Sequence, residues 1–399
     1  MTAGGSVIKD LKSFYFEPLR GDRECLYDTN GKKILDFQCG INGHILGYNN
    51  SIVEKAIIKQ IHKGFYTQSN DFINKEQDKL TYRLCKKIGF YNQDNSINGV
   101  ATYFASSVEA NQYAINIASH RYNTLCDRNY NEIICITNET KTNNQHTPNT
   151  NNKTTKENIG IKYIEYANIS NIEAFITEHT SAVMLQPISW ERDFTICSKE
   201  CMHNLRKICS YHKIGLIIDE TNVGVGSRGT MFAFQEANII PDILTLSTGL
   251  AGGIPISVCI SNAEFSQFLP RTTINCYHNS TAIAIANALM HYITKTHLLS
   301  NIKDGHQQLH TALVNLKHKY HNIIKQAHLH GLIFAIQCYE YIDATYLFKI
   351  ILHNGLSGVL TQTNTICFFP PLNVSQTNLS KAINIIDSSI NELVLLLKY

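Results

Sequence analysis

Two polar segments of the sequence have residue types and spacings suited to binding chemistry. In the first, FASSVEAN at residues 104–111, Ser106 stands where an apolar strand is predicted to end and a helix to begin. Ser106 and Glu109 have the S-x-x-E spacing of a capping box, which closes a helix start without any ligand. The amides at such a helix start, here those of Ser106, Ser107 and Val108, also form a phosphate site. Both interpretations fit the spacing, and capping alone is the commoner case.

The second segment carries an acidic residue, Asp219, at the end of the apolar strand IGLIID, residues 214–219. A carboxylate at the carboxyl end of a buried parallel strand lies where ligands of open α/β sheets bind. It either caps the following loop or holds a ligand nitrogen in its protonated form. The glycines of residues 219–229 and 248–255 indicate tight turns nearby, and neither set follows a nucleotide-binding motif.

A sheet must position these residues, and the apolar pattern predicts one. From Ala101 onward, short apolar runs such as EIICIT, AVMLQPI and DILTLS alternate with helical stretches such as KECMHNLRKICSYH. That alternation is typical of an α/β protein with a mostly parallel sheet covered on both faces. Before it, LYDTNGKKILDF at residues 26–37 predicts a hairpin around Asn30-Gly31.

The order of elements predicts three regions in the chain. An N-terminal segment, 1–50, joins a smaller domain; residues 51–290 form the large domain; and 291–399 form a small C-terminal α+β domain. Residues 138–157 are almost all Asn, Thr and Lys, and we expect them to form a mobile surface loop because they offer little to bury.

Composition limits the kinds of binding partner and indicates the cellular compartment of the protein. With 35 basic and 32 acidic residues the chain has a net charge of +3, so charge alone commits no surface to nucleic acid or membrane lipid. No run reaches the roughly 18 apolar residues of a membrane span, and no signal peptide is evident, which favours a cytoplasmic protein. The 12 cysteines are scattered and often lie in apolar runs, as reduced core thiols do. Neither Cys197 with Cys201 nor Cys209 with His212 has the spacing of a zinc site, so no metal is expected.

Six segments in order resemble the class III pyridoxal-phosphate aminotransferases of the acetylornithine and ornithine type. They are LYDTNGKKILDFQCGINGHILGY, YTQSNDFINKEQDKL, FASSVEAN, DETNVGVGSRG, PDILTLSTGLAGGIPIS and FFPPLNVSQTNL. The resemblance covers nearly the whole chain. It implies a fold-type I transferase, with a mostly parallel seven-stranded sheet in the large domain, and a homodimer.

The resemblance also assigns roles to individual residues. FASSVEAN is similar to the family's phosphate cup, which implies phosphate contacts from Ser106, Ser107 and Val108. DETNVGVGSRG is similar to the segment that carries the pyridine partner, which makes Asp219 that partner. Asn222 then takes the place of a glutamine that contacts the cofactor ring.

The chief departure from the family is Thr248, which occupies the position of the Schiff-base lysine. Pro241-Asp242 and Gly252-Gly253-Ile254-Pro255 fix an ungapped register around it. No lysine occurs between Lys213 and Lys295, so a small shift of alignment restores none. The resemblance therefore implies no catalytic residue at this position.

Other departures from the family pattern also affect positions that bind cofactor or substrate in relatives. Cys367 replaces an arginine that binds the substrate carboxylate in relatives. Gln186 and Ser189 replace a glutamate and a glutamine. The threonine that completes the phosphate site across the dimer is missing, with Asn275 the nearest candidate. The family's aromatic-His-Gly-Arg-Thr segment falls in 138–157, which contains neither an aromatic residue nor an arginine.

These losses predict that the homodimer implied by the resemblance has lost transaminase activity and persists as a binding or structural protein, or as a decaying copy. Its expected ligands are pyridoxal phosphate, bound weakly and non-covalently, and a small amino acid. A second interpretation is a pyridoxal- or pyridoxamine-phosphate enzyme of altered mechanism, in which His278 approaches the site. A third is a subunit that completes the active site of an active paralogue. The missing threonine near Asn275 counts against it.

Overall fold

The computed structural model describes residues 16–64, 74–127, 130–137, 158–191, 194–269 and 279–397. Asn275, His278 and the Asn-rich segment 138–157 lie outside these ranges. No helix in the described part is long and apolar enough to cross a membrane.

The strands are β1 Pro18–Asp22, β2 Cys25–Asp28, β3 Lys33–Asp36, β4 Gly99–Phe104, β5 Tyr130–Ile136, β6 Asn158–Ile164, β7 Thr180–Leu185, β8 Ile188–Ser189, β9 Thr195–Ile196, β10 Gly215–Glu220, β11 Ile243–Leu246, β12 Ser257–Asn262, β13 Ile324–His330, β14 Ile333–Cys338, β15 Leu356–Ser357, β16 Val359–Leu360 and β17 Thr365–Phe368. The α-helices are α1 Cys39–Asn42, α2 Ser51–Ile61, α3 Lys75–Ile88, α4 Ser107–Cys126, α5 Lys199–Tyr211, α6 Ala263–Ser266, α7 Ser280–Lys295, α8 Leu298–Lys319, α9 Ala344–His353 and α10 Gln376–Leu397, and 3₁₀ helices span Tyr166–Phe175 and Ala233–Ala237.

The central feature is a seven-stranded sheet in the order β4-β12-β11-β10-β7-β5-β6. β12 alone runs opposite to the other six strands, so the predicted mostly parallel α/β sheet is confirmed. Successive side chains of a strand point to opposite faces of the sheet, and both faces of this sheet are buried. Ile217 packs with Ala114 of α4 on one face, whereas Leu216 and Ile218 pack with Leu205 of α5 in the core cluster on the other.

Two smaller four-stranded sheets flank the large one. One has the order β1-β2-β3-β15, so the N-terminal strands pair with a strand from near residue 356. The other has the order β13-β14-β17-β16 and is wholly C-terminal. The predicted hairpin at residues 26–37 is confirmed, with Gly31 at φ +80° in its turn. The division at residues 50 and 290 stays a prediction.

Candidate functional site

Three strands of the large sheet end at the same edge. Strand β12 is antiparallel to both β4 and β11, and β11 is parallel to β10, so β4, β10 and β11 all point the same way. Their ends are also level: Leu246 pairs with Glu220 on one side and with Val258 on the other. Val258 in turn pairs with Tyr103. Each strand therefore delivers one predicted site residue to this edge: Ser106, Asp219 and Thr248.

The start of α4 combines a cap with free amides. The Ser106 hydroxyl accepts from the Glu109 amide at 3.3 Å, and the Glu109 carboxylate accepts from the Ser106 amide at 3.0 Å, which confirms the capping box. This exchange does not use the amides of Ser107 and Val108, and the structure gives them no partner among the described residues. Because α4 is 20 residues long, its dipole favours an anion at this end. Capping and anion binding are therefore compatible here.

Asp219 is held by a buried polar network. Its carboxylate is 7 % exposed and accepts from the Asn111 side-chain amide at 2.9 Å, the Thr221 backbone amide at 2.9 Å and the Thr221 hydroxyl at 2.6 Å. The Thr245 hydroxyl donates to Asn111 Oδ1 at 2.7 Å, which orients that amide toward Asp219. These contacts fix the carboxylate in place as an acceptor, the arrangement needed to hold a protonated ring nitrogen.

Asn111, Thr221 and Thr245 did not emerge from the sequence as site residues. The sequence carries no distinct signal for Asn111, because its helix α4 contains several polar residues and also buries Asn116 and Ser119. The fully buried Asn111 side chain needs a partner, and the partner is 108 positions away in the chain.

Thr248 lies in the turn that follows β11. Its amide donates to the Thr221 carbonyl at 3.0 Å, which places it next to the residue that contacts Asp219. The side chain is half-buried, and its hydroxyl has no hydrogen-bond partner among the residues described. Thr248 therefore lies in an ordered turn beside the Asp219 network, and its assignment to the position of the Schiff-base lysine stays a prediction.

The surroundings of Asn222 and Cys367 differ from those of an anion site. The Asn222 carbonyl accepts from the Trp190 indole at 3.2 Å, and its side chain donates to Glu191 at 3.2 Å. Cys367 has no exposed surface and belongs to an apolar cluster with Trp190 and Phe369, whose rings lie 5.1 Å apart. Burial raises the pKa of the Cys367 thiol, so the position is neutral and offers no charge to a carboxylate.

The sequence profile of the family described as Aminotransferase class-III matches residues 9–390. The chain belongs to the class III aminotransferase family. This family member is 28 % identical to an acetylornithine aminotransferase of Clostridium acetobutylicum over 382 residues, which cover 93 % of this chain and 95 % of that protein. It is 29 % identical to the acetylornithine aminotransferase of Methanocaldococcus jannaschii, covering 92 % of each.

Solved structures agree on the fold. The crystal structure of N-acetylornithine aminotransferase from Stenotrophomonas maltophilia superposes with a TM-score of 0.80 at 19 % identity, covering 97 % of this chain and 99 % of that one. The ornithine aminotransferase of Toxoplasma gondii, whose active site holds pyridoxal phosphate at partial occupancy, gives 0.81 at 19 % identity and covers 94 % and 91 %. Fold-type I architecture is therefore confirmed, and the site residues stay predictions.

Proposed function

We propose that this class III family member binds pyridoxal phosphate without a covalent bond and does not catalyse amino transfer. The observation that carries the proposal is Thr248 in the turn after β11, where its amide donates to the carbonyl of Thr221, the residue that contacts Asp219. A threonine hydroxyl has no amine with which to attach the cofactor, and near neutral pH it does not carry a proton between substrate and cofactor. The absence of such proton transfer alone removes about 10²- to 10⁴-fold in rate.

The residues at the sheet edge fit the cofactor at two of its contacts and fail at the third. Asp219 suits the protonated ring nitrogen, and the amides of Ser107 and Val108 suit the phosphate. Thr248 does not suit the covalent attachment. When bound, pyridoxal phosphate supplies an electron sink for charge at the substrate Cα. In this chain the protein residues hold and orient the cofactor, and no described residue takes the proton-transfer role of the lysine.

The first test is uptake of added pyridoxal phosphate by the purified protein. We expect a saturable change in the cofactor's visible spectrum, with nothing reduced by borohydride onto residues 214–294, because this segment contains no lysine. Asp219→Asn should weaken binding by about tenfold or more, since a hydrogen bond to a charged group contributes roughly 1.5 to 3 kcal/mol. Asp304→Asn is the control, because Asp304 is an exposed residue of α8 and takes no part in the Asp219 network. A borohydride-stable adduct mapped to the site would overturn the proposal.

The alternative is an enzyme of altered mechanism that uses pyridoxal or pyridoxamine phosphate. The intact Asp219 network supports it, because that network would serve catalysis as well as binding. Incubation with acetylornithine or ornithine and 2-oxoglutarate distinguishes the two. Glutamate formed at a steady rate by the wild-type protein would favour the alternative, and its absence favours the inactive interpretation.

We also propose that the chain is a cytoplasmic homodimer. Support comes from the family match, which spans residues 9–390 and therefore includes the segments that build the interface in relatives. An obligate interface of this kind buries more than about 2,000 Å². Sedimentation at micromolar concentration should give twice the chain mass of 45.0 kDa. A single species at the monomer mass would contradict the dimer.

A further inference from the structure

A cavity lies between α2, α3 and α7, away from the candidate site. It has a volume of about 660 Å³, within the range of small-molecule sites. Its lining shares no residue with the Asp219 network or with the α4 start. Ile52, Ala56, Ala284, Ala288 and Tyr292 give it an apolar wall. It is therefore a separate candidate for ligand binding.

Positive charge dominates the lining of this cavity, which we call the basic pocket. Six cationic side chains and one carboxylate line it, a formal excess of +5 in a chain whose net charge is only +3. Lys63 lies 4.0 Å from that carboxylate, Glu76, and the other four lysines have no ion pair among the described residues. Like charges in one concave surface repel, so the unligated pocket carries an electrostatic cost that an anion relieves. The six cations are Lys55, Lys59, Lys63, Lys79, Arg83 and Lys295.

The geometry of α2 and α7 concentrates this charge. Lys55 and Lys59 lie four residues apart on one face of α2, and Lys63 follows at the same spacing just beyond the end of that helix. Lys295 ends α7 on the opposite wall, and Lys79 projects from α3. Three separate elements thus converge on one space, which distinguishes the pocket from a solvated stripe along a single helix.

At the base of the pocket one cation is fixed in position. Arg83 Nη1 donates to both the backbone carbonyl, at 2.6 Å, and the side-chain oxygen, at 2.9 Å, of Asn287, which is 3 % exposed. Asn287 is held in turn by donating to the Glu76 carbonyl at 2.6 Å. The remaining guanidinium N–H groups of Arg83 have no partner within the described ranges. A guanidinium fixed in this way is pre-organised for the oxygens of a phosphate.

We propose that the basic pocket binds linked phosphate groups, as carried by inorganic triphosphate or by a nucleoside triphosphate. A single carboxylate or phosphate would leave most of the cations unpaired, whereas a di- or triphosphate places several negative charges in a space of this size. Arg83 binds one phosphate through its planar fork, and the lysines serve as point charges for the others. The apolar wall is where the nucleoside of a nucleoside triphosphate would lie, whereas inorganic triphosphate would make no contact with it.

The test is binding of inorganic triphosphate and of ATP to the full-length protein by calorimetry. We expect one site per chain, weakened about tenfold or more in Lys55→Gln/Lys59→Gln, because the removal of charge-assisted hydrogen bonds to phosphate lowers affinity by at least that factor. Lys303→Gln/Lys317→Gln removes the same charge from exposed positions of α8 and should bind like wild type. Tighter binding of ATP than of triphosphate identifies a nucleotide ligand, and equal binding identifies the phosphates alone.

Several results would overturn the proposal. Equal weakening in both double variants would show a general charge effect, and no binding at millimolar triphosphate would show an empty surface. Displacement of triphosphate by pyridoxal phosphate, together with unchanged triphosphate binding in Lys55→Gln/Lys59→Gln, would place triphosphate at the α4 start instead. If the Lys55→Gln/Lys59→Gln variant changes the sedimentation of the protein and neither probe binds wild type, the pocket is an interface between copies of this chain. Thermal melts of both variants check that folding is retained.

Discussion

Thr248→Lys alone is expected to leave amino transfer from acetylornithine or ornithine at least about 10²-fold below an ordinary family member. The lysine should regain covalent attachment of added pyridoxal phosphate, because Asp219 and the α4 start remain to hold the ring nitrogen and the phosphate. Attachment is only one requirement. The substrate must also be held with its Cα–H bond aligned to the ring, and a misplacement of about 1 Å costs roughly 10²-fold.

The groups that would hold the substrate are what the variant still lacks. Cys367 stands in a fully buried apolar cluster, at the position where the sequence resemblance predicts a carboxylate-binding arginine. No arginine occurs in residues 138–157, where the second one would fall. A hydrogen bond to a charged group contributes roughly 1.5 to 3 kcal/mol, so the absence of two removes about 10²- to 10⁴-fold in transition-state binding.

The experiment has three steps on one preparation. Borohydride reduction and mass measurement confirm attachment in Thr248→Lys, steady-state assays with 2-oxoglutarate measure turnover, and Thr248→Ala serves as the matched variant without an amine. Turnover within about tenfold of an ordinary family member would show that the cleft still recognises substrate. The interpretation of the cleft as a lost site would then be wrong.

The free energy of unfolding should fall by about 2 to 3 kcal/mol between pH 5 and pH 8 through one buried carboxyl, that of Glu220. Complete burial raises its pKa to about 7 from an ordinary 4.5, although it accepts from the amides of Ala233 and Phe234 at 2.7 and 3.0 Å. A raised folded-state pKa gives stability that is fully present below about pH 4.5 and is lost as the pH rises through about 7. By accepting from these amides Glu220 joins the two ends of residues 220–234, a segment that includes Asn222. Ionisation of Glu220 is therefore expected to affect the candidate site as well.

Glu220→Gln is the matched variant, because it keeps the side-chain size and removes the titration. Denaturant midpoints of both proteins at pH 5 and pH 8 give a double difference in which every other titrating group cancels. We expect the wild type to lose more stability than the variant over this interval. A double difference near zero, or one of opposite sign, would show that the Glu220 carboxyl is ionised in the folded protein at pH 5.

Much of the fold follows from local pattern. The apolar runs from Ala101 onward specify the sheet because β propensity and burial act on neighbouring residues, and Asn30-Gly31 specifies the hairpin because the turn accepts positive φ at Gly31. The capping box of Ser106 and Glu109 was predictable for the same reason, since its partners are three residues apart. The order of the strands in the sheet did not follow from local pattern, as β4 lies beside β12 and distant from β5.

For the site, the sequence alone determined residue identity: a threonine at position 248, a cysteine at 367 and no lysine between 213 and 295. Only the tertiary structure decided what surrounds those residues. It brought Asn111 to Asp219, placed Cys367 among aromatic rings, and gathered six cations from α2, the turn after it, α3 and α7 around one pocket. These contacts join positions far apart in the chain, and the hydrogen bonds, burial and charge that they create depend on the packing of whole elements, which no local pattern encodes.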